Sequence, residues 1–135
     1  MNQLKATITA IESAGDISLV LLAAAGDSFS SLVIDTPATA AYLQAGKEIV
    51  MVFKETEMAI GKSLTGGLSL RNRFPARIRQ IEAGTILSNI HLDYKGIPLQ
   101  AVITSRSVGE LQLAVGDEVM GLVKSNEISL TESFL

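Results

Sequence analysis

Residues 72–82 read NRFPARIRQIE, and seventy positions earlier residues 2–12 read NQLKATITAIE. Asn2 falls on Asn72, Ala6 on Ala76, Ile8 on Ile78, and Ile11-Glu12 on Ile81-Glu82. The register then runs on without a gap. Ser18 meets Ser88, Leu22 meets Leu92, Gly26 meets Gly96 and Leu43 meets Leu113. Gly46 meets Gly116, Glu48 meets Glu118, Lys54 meets Lys124 and Glu57 meets Glu127. Val20 with Ile90 and Val33 with Ile103 are conservative pairs between them. One ungapped register of this length marks two copies of one fold. The glycines of Thr65-Gly66-Gly67 mark a flexible joint. The expected organisation is a first domain over 1–64, a linker over 65–68 and a second domain over 69–135.

Each repeat reads as mostly strand. Leu4, Ala6, Ile8 and Ala10 alternate with Lys5, Thr7 and Thr9, as Phe74, Ala76 and Ile78 alternate with Pro75, Arg77 and Arg79. Further strands are expected over 17–25 and 86–94, then 29–34 and 99–104 after glycine turns at Gly26 and Gly96. A short helix should follow the third strand in both repeats. Thr36 with Pro37 supplies a cap and first helical position in the first, and Thr104 or Ser105 caps in the second. Strands over 48–54 with 57–60, and 118–124 with 127–130, close each repeat. The expected fold class is all-β: two tandem OB-like five-stranded barrels, each with one short helix after the third strand. A barrel of this size buries only ~60% of its unfolded surface, so packing on other chains is expected. Val119 to Val123 is apolar on both faces, which asks for cover on both.

Composition removes most chemistries. The 135 residues carry 11 basic and 14 acidic side chains, a net charge of −3, so a broad cationic face for nucleic acid is not expected. Cysteine is absent and His91 is the only histidine. Thiolate metal sites and thiol nucleophiles have nothing to work with, a Ser-His triad almost nothing, and an enzyme is not expected. Aromatics are 4%, and they are scattered through apolar strands rather than set in a basic groove. Ile17 to Ala25 (ISLVLLAAA) imitates a signal-peptide core. Glu12 and Asp16 stand where a signal is cationic, and nine apolar residues do not span a bilayer. A cytoplasmic protein with no membrane contact is expected.

The repeats differ in where they place hydrogen-bond donors. The second opens with Ser69-Leu70-Arg71-Asn72, runs into Thr104-Ser105-Arg106-Ser107 after its third strand, and ends its fourth strand at Lys124-Ser125. Hydroxyls, an amide, a guanidinium and an ammonium at strand and helix ends, with no carboxylate among them, suit an oxyanion rather than a cation. A helix start adds free N–H groups. In the first repeat Met1 replaces Arg71, Ile34 replaces Thr104, Pro37 replaces Ser107 and Glu55 replaces Ser125. That repeat reads as scaffold. Thr104 and Ser105 read equally as helix caps, Arg71 and Lys124 as surface cations, His91 as a packed or solvated side chain, and the methionines as core filler.

Ser69-Leu70-Arg71-Asn72 resembles the Ser-Ala-Arg-Asn opening of the molbindin, or Mop, domain. Thr104-Ser105-Arg106-Ser107, the stretch from Leu113 to Val119 and Val123-Lys124-Ser125 follow in the order and spacing of that domain. The resemblance covers the second repeat nearly end to end and the first more loosely, through Asn2-Gln3-Leu4 and Gly46-Lys47-Glu48. The whole chain resembles two-domain molbindins and the paired Mop domains of molybdate-responsive regulators. This resemblance implies intracellular binding of molybdate, and of tungstate too, for storage or homeostasis, at sites between domains or subunits of a homo-oligomer, a trimer favoured over a dimer. It assigns anion contacts to Ser69, Arg71, Asn72, Thr104, Ser107, Lys124 and Ser125, with no directly coordinated metal and no organic cofactor. The alternative it implies is a molybdate-sensing module acting through a partner DNA-binding or transporter ATPase chain. Neither a helix-turn-helix nor a Walker motif occurs here, so that output needs another chain.

Overall fold

In a computed structural model describing residues 1–135, the alternation of the first strand is realised as burial. Strand β1 (Asn2–Ala14) buries Leu4, Ala6 and Ile8 and turns Lys5 and Thr9 outward; β6 (Asn72–Glu82) buries Phe74, Ala76 and Ile78 and turns out Pro75, Arg77 and Arg79. The first repeat continues through β2 (Ile17–Ala24), β3 (Asp27–Val33), β4 (Glu48–Phe53) and β5 (Ala59–Gly61). The second continues through β7 (Leu87–Tyr94), β8 (Ile97–Thr104), a helix α1 (Ser105–Glu110), β9 (Glu118–Val123) and β10 (Ser129–Thr131). No helix is long and apolar enough to cross a membrane.

One bulge recurs in both repeats and explains how a single long strand serves two neighbours. The β1–β2 register slips between Ile8 and Ala10, and the β6–β7 register between Ile78 and Gln80. At the slip the Ile8 N–H donates to Lys47 O at 2.9 Å and receives Gly46 N–H on its carbonyl at 2.7 Å. Ile78 does the same with Asp117 and Gly116, at 2.9 and 2.8 Å. Gly46 and Gly116 hold φ of +88° and +94°, a backbone region that disfavours a side chain.

The repeats, contiguous in sequence, are not the compact units. One unit consists of Gln3–Phe53 with Lys124–Leu135, and the other of Met1–Asn2 with Lys54–Val123. The first unit's sheet runs β10-β4-β1-β2-β3 and the second's runs β5-β9-β6-β7-β8. Each repeat therefore donates its closing strand to the unit built mainly by the other. The registers are equivalent: Leu130 opposes Met51 in the first unit, and Ile60 opposes Gly121 in the second. The boundaries 1–64 and 69–135 describe the repeats but not the packing. Charge favours the exchanged arrangement. Lys62, just after β5, donates to Asp117 Oδ2 at 3.0 Å and to the carbonyls of Leu111 and Gln112 at 3.3 and 3.0 Å. The repeat-equivalent positions carry Glu132 and Lys47. Unexchanged strands would bring Lys62 toward Lys47 and Glu132 toward Asp117, like against like.

Both cores are dry. The first unit buries Val20, Leu22, Phe29 and Ile49 to Phe53; the second buries Tyr94, Leu99, Ile90 and Leu92, with Phe74 and Tyr94 edge to face at 5.2 Å. The helix expected in the first repeat is absent. Residues 35–47 form turns, in which the Thr39 hydroxyl takes the Thr36 N–H at 2.8 Å and returns a bond to the Thr36 carbonyl at 3.2 Å. A side chain that satisfies nearby backbone in this way competes with helix propagation.

Candidate functional site

The donor-rich residues fall into three clusters, each built by its own local rule. In the second unit, Arg73 anchors the approach to β6: its Nε donates to Leu70 O at 3.0 Å and its Nη2 to Leu68 O at 3.1 Å. That clamp fixes the segment carrying Ser69 and Arg71, both exposed, and Arg71 makes no ion pair. Asn72 next to them is fully buried, and its backbone pairs with Val123, the residue before Lys124. Its repeat partner Asn2 shows what a buried amide does at this position. Asn2 Nδ2 donates to Gln100 O at 2.8 Å and Asn2 Oδ1 accepts from Gln100 N–H at 2.8 Å. Both ends of that amide engage one strand residue, and Nδ2 keeps one further N–H.

The second cluster is the start of α1. Thr104 caps the helix, its Oγ1 accepting from Ser107 N–H at 3.2 Å and lying 2.8 Å from Ser107 Oγ. The two hydroxyls own two protons and share one bond, so one proton remains to point outward. Ser105 has no such freedom. It donates to Gly84 O at 2.6 Å and sits 2.8 Å from Ser88 Oγ, so it ties the helix start to the 83–86 loop and the start of β7. Thr104 and the unpaired Arg106 line an open cavity of 290 Å³ with Thr85 and Ile86. A helix of six residues is too short for the macrodipole argument to add much. Side chains carry this cluster.

Lys124 and Ser125, the third cluster, belong to the first unit. They open a 3₁₀ turn, Ser125–Glu127, closed by Glu127 N–H on Lys124 O at 3.0 Å. Lys124 is exposed and has no ion-pair partner. Ser125 Oγ lies 2.6 Å from Ser30 Oγ, and Ser31 Oγ donates to Ile128 O at 2.6 Å. Neither Ser30 nor Ser31 was marked by sequence reasoning. Their signal was a pair of serines in the middle of a strand, which reads as an outward face until its burial is known. Arg73 was missed for a similar reason, as a strand cation with no visible partner.

Within the second unit the first two clusters do not meet. Asn72 stands at one end of the sheet, where β6 opens against β9; Thr104 pairs with Leu87 at the other, beyond the Glu82–Asn89 pair. The separation is about ten residue steps, on the order of 30 Å along the strands. His91 lies on the outer face of β7 with Nε2 3.1 Å from Glu82 Oε1. No group of three or more His, Cys, Asp or Glu could hold a metal ion. Phe29, Phe53, Phe74 and Tyr94 are buried in the cores, unavailable for stacking on bases.

The TOBE domain profile matches residues 68–130. The molybdenum import ATP-binding protein ModC of Brucella abortus (strain 2308) is 37% identical over 70 residues, which is 51% of this chain and 20% of ModC. The molybdenum-pterin-binding protein MopB of Rhodobacter capsulatus is 30% identical over 105 residues, 64% of this chain and 39% of MopB. The chain thus spans a fifth to two fifths of these curated relatives. A crystal structure of the cytoplasmic molybdate-binding protein ModG, with molybdate bound, superposes at a TM-score of 0.89 with 26% identity, covering 96% of this chain and 94% of ModG. Fold, tandem repeat and family profile agree: residues 68–130 match the TOBE domain, and the chain as a whole is similar to molybdate-binding proteins of the Mop, or molbindin, type.

Proposed function

We propose that this chain binds molybdate, a tetrahedral dianion, and holds it by hydrogen bonds for storage or homeostasis of molybdenum in the cytoplasm. The observation that carries the reading is the composition of the three clusters. Ser69, Arg71 and Asn72, Thr104 and Ser107, and Lys124 and Ser125 offer donors and cations, and no carboxylate stands among them. A fully ionised oxyanion needs donors alone. The near full-length likeness to ModG supports the same reading. Tungstate, equal in charge and shape, is proposed as a second ligand, and no organic cofactor is invoked. A rigid cage of short bonds separates these anions from the smaller sulfate.

The division of donors between two ends of one sheet supports a site completed by another copy of the chain. Exposed Ile17, Leu32, Ile34, Ile86 and Leu87 support a homo-oligomer as well, and a trimer is the proposed state. The likeness to ModC raises a second reading, a sensing module that works through an ATPase or DNA-binding chain. It covers the second repeat alone and asks for a partner. A retained ATPase or DNA-binding chain in a pull-down would favour it. The deciding experiment is metal analysis of purified protein with calorimetric titration of molybdate, tungstate and sulfate. Tight, saturable molybdate binding with sulfate inert is expected. Equal affinity for all three would overturn the proposal.

A further inference from the structure

Helix α1 is held by its ends. Its six residues make less than two turns, none of them is buried, and no basic residue stands in its last turn. A helix so short does not persist in water on its own propensity. The start is tied by Ser105, whose N–H donates to Ile86 O at 2.8 Å and whose hydroxyl donates to Gly84 O at 2.6 Å. The chain leaves the other end through Gln112, at φ +51°, a left-handed conformation that glycine takes freely and a residue with a Cβ does not. Lys62 holds that end. Its Nζ donates to the carbonyls of Leu111, the C-cap, and of Gln112, and to Asp117 Oδ2, so each of its three N–H groups has a partner. Asp117 Oδ2 also accepts from Ala114 N–H at 2.9 Å. The first repeat supplies the comparison. Leu43 is buried there as Leu113 is here, so the apolar anchor that follows is common to both. Glu132 stands in the place of Lys62 and Tyr42 in the place of Gln112. Tyr42 does not take the left-handed conformation, and no helix forms.

We infer that Lys62 is a positioning residue for the anion: the cation that follows β5 keeps α1 formed, and α1 keeps the Thr104 and Ser107 hydroxyls together at its start. The inference rests on the reading that Thr104 and Ser107 contact the oxyanion. The connection is short and continuous. Lys62 fixes the Leu111 carbonyl, the Leu111 N–H donates to Ser107 O at 2.9 Å, and Ser107 Oγ lies 2.8 Å from Thr104 Oγ1. A cation is also the charge that suits the carbonyl end of a helix, and here the other repeat provides it. Without Lys62, nothing offsets the left-handed Gln112, and unwinding the last turn releases the bond on Ser107. The coupling is reciprocal: an anion that binds the formed helix steadies its far end as well. Lys62 comes from the first repeat and the hydroxyls from the second, so strand exchange bears directly on the donors.

The test is calorimetric titration of molybdate into the full chain and its Lys62→Met, Lys62→Arg, Arg77→Ala, Thr104→Val and Ser107→Ala variants, well below their melting temperatures. Amide hydrogen exchange at Ser107, Leu111 and Leu113 is read alongside, with and without molybdate. Lys62→Met is expected to weaken binding about fivefold, as when the competent helix falls to about a fifth of the population. Exchange at all three amides should quicken in that variant, and molybdate should slow it in the wild type. Lys62→Arg, which keeps a cation and several donors, should recover most of the loss. Arg77→Ala, which removes the unit's surface pair with Glu118, should leave affinity unchanged. If Lys62→Met does not fold, Lys62→Gln keeps a donor without the charge and is read the same way. Wild-type affinity in Lys62→Met beside a weakened Thr104→Val overturns the inference and leaves the function standing. Faster exchange at Leu111 and Leu113 with Ser107 and affinity unchanged also overturns it, since Lys62 would then serve stability alone. An equal loss in Arg77→Ala does the same, because general loosening would suffice. Undiminished binding in both Thr104→Val and Ser107→Ala removes its foundation, and a wild-type chain that does not bind molybdate overturns the proposed function with it.

Discussion

Replacing Thr104 by valine separates a helix cap from an anion contact, because the two roles fail in different measurements. Thr104 has φ −66° and ψ 144°, an extended conformation that valine adopts readily, so shape and backbone survive. What disappears is one oxygen with two duties: the bond from Ser107 N–H and the bond to Ser107 Oγ. Loss of the cap costs about 1 kcal/mol. For a chain of this size that lowers the melting temperature by roughly 3–6 °C. If the outward proton of the hydroxyl pair belongs to Thr104, the more exposed member, molybdate affinity falls about tenfold as well. Ser107→Ala is the control, since it leaves the cap bond to the Ser107 N–H in place and frees the Thr104 proton; its cost in affinity should be a few-fold at most. Melting curves without ligand and calorimetric titrations at constant salt read the two effects separately. A lowered melting temperature with unchanged affinity in both variants would refute the contact and leave Thr104 as a cap alone.

Lys124→Ala should weaken molybdate binding strongly, by ~2 kcal/mol or more for a charge-assisted partner, while Lys54→Ala leaves it nearly intact; equal losses in the paired titrations would show that both turns bind. The Asp117 carboxyl is held below the ordinary aspartate range, first by the Ala114 N–H and then by Lys62. Its contribution to stability is therefore full above the unfolded-state value and lost as pH falls through the lower folded value. Asp117→Asn should flatten the acid limb of a melting-temperature profile, and an unchanged limb would count against that linkage. A protease site placed between Leu64 and Leu68 should give a nicked chain whose two pieces stay together on a native sizing column, because each compact unit takes strands from both pieces. Separation of the pieces without denaturant would refute the exchange.

Strand positions were legible because burial imposes a period of two on Leu4-Ala6-Ile8 and Phe74-Ala76-Ile78, and periodicity survives in a bare sequence. The exchange of β5 and β10 was not. Both repeats present the same closing pattern to the same acceptor strands, so either pairing satisfies the hydrophobic period, and the choice falls to the hinge segments and to tertiary charge. Lys62, Asp117, Glu132 and Lys47 were visible as charges, yet their opposed placement has meaning only once the exchange is known. The helix in the first repeat was expected from Thr36-Pro37, and the Thr39 hydroxyl prevailed through local bonds that no propensity scale contains. Thr104 read equally as cap and as ligand; it is a cap, and the proton count leaves it room to be both.

The exchange changes what the divergence between repeats means for the proposed site. Lys54 and Lys124 open equivalent turns, and Asn2 and Asn72 open equivalent strands, so cation and amide alone do not distinguish the two ends. The next residue does. Ser125 adds a hydroxyl to its turn and Glu55 adds a carboxylate. A like charge about 5 Å from an oxyanion costs roughly 1–3 kcal/mol per elementary charge at the effective dielectric of a protein surface. A dianion doubles that, which offsets a cation such as Lys54 at similar range. The Asn2 amide adds little, because it is buried and already bonded at both ends to Gln100. Around Lys124 the balance runs the other way: an unpaired ammonium, the Ser125 hydroxyl in place of a carboxylate, and two serines of β3 holding the turn in place. The donors of this turn come from the second repeat and their support from the first, so the site proposed here belongs to the exchanged unit and to neither repeat alone.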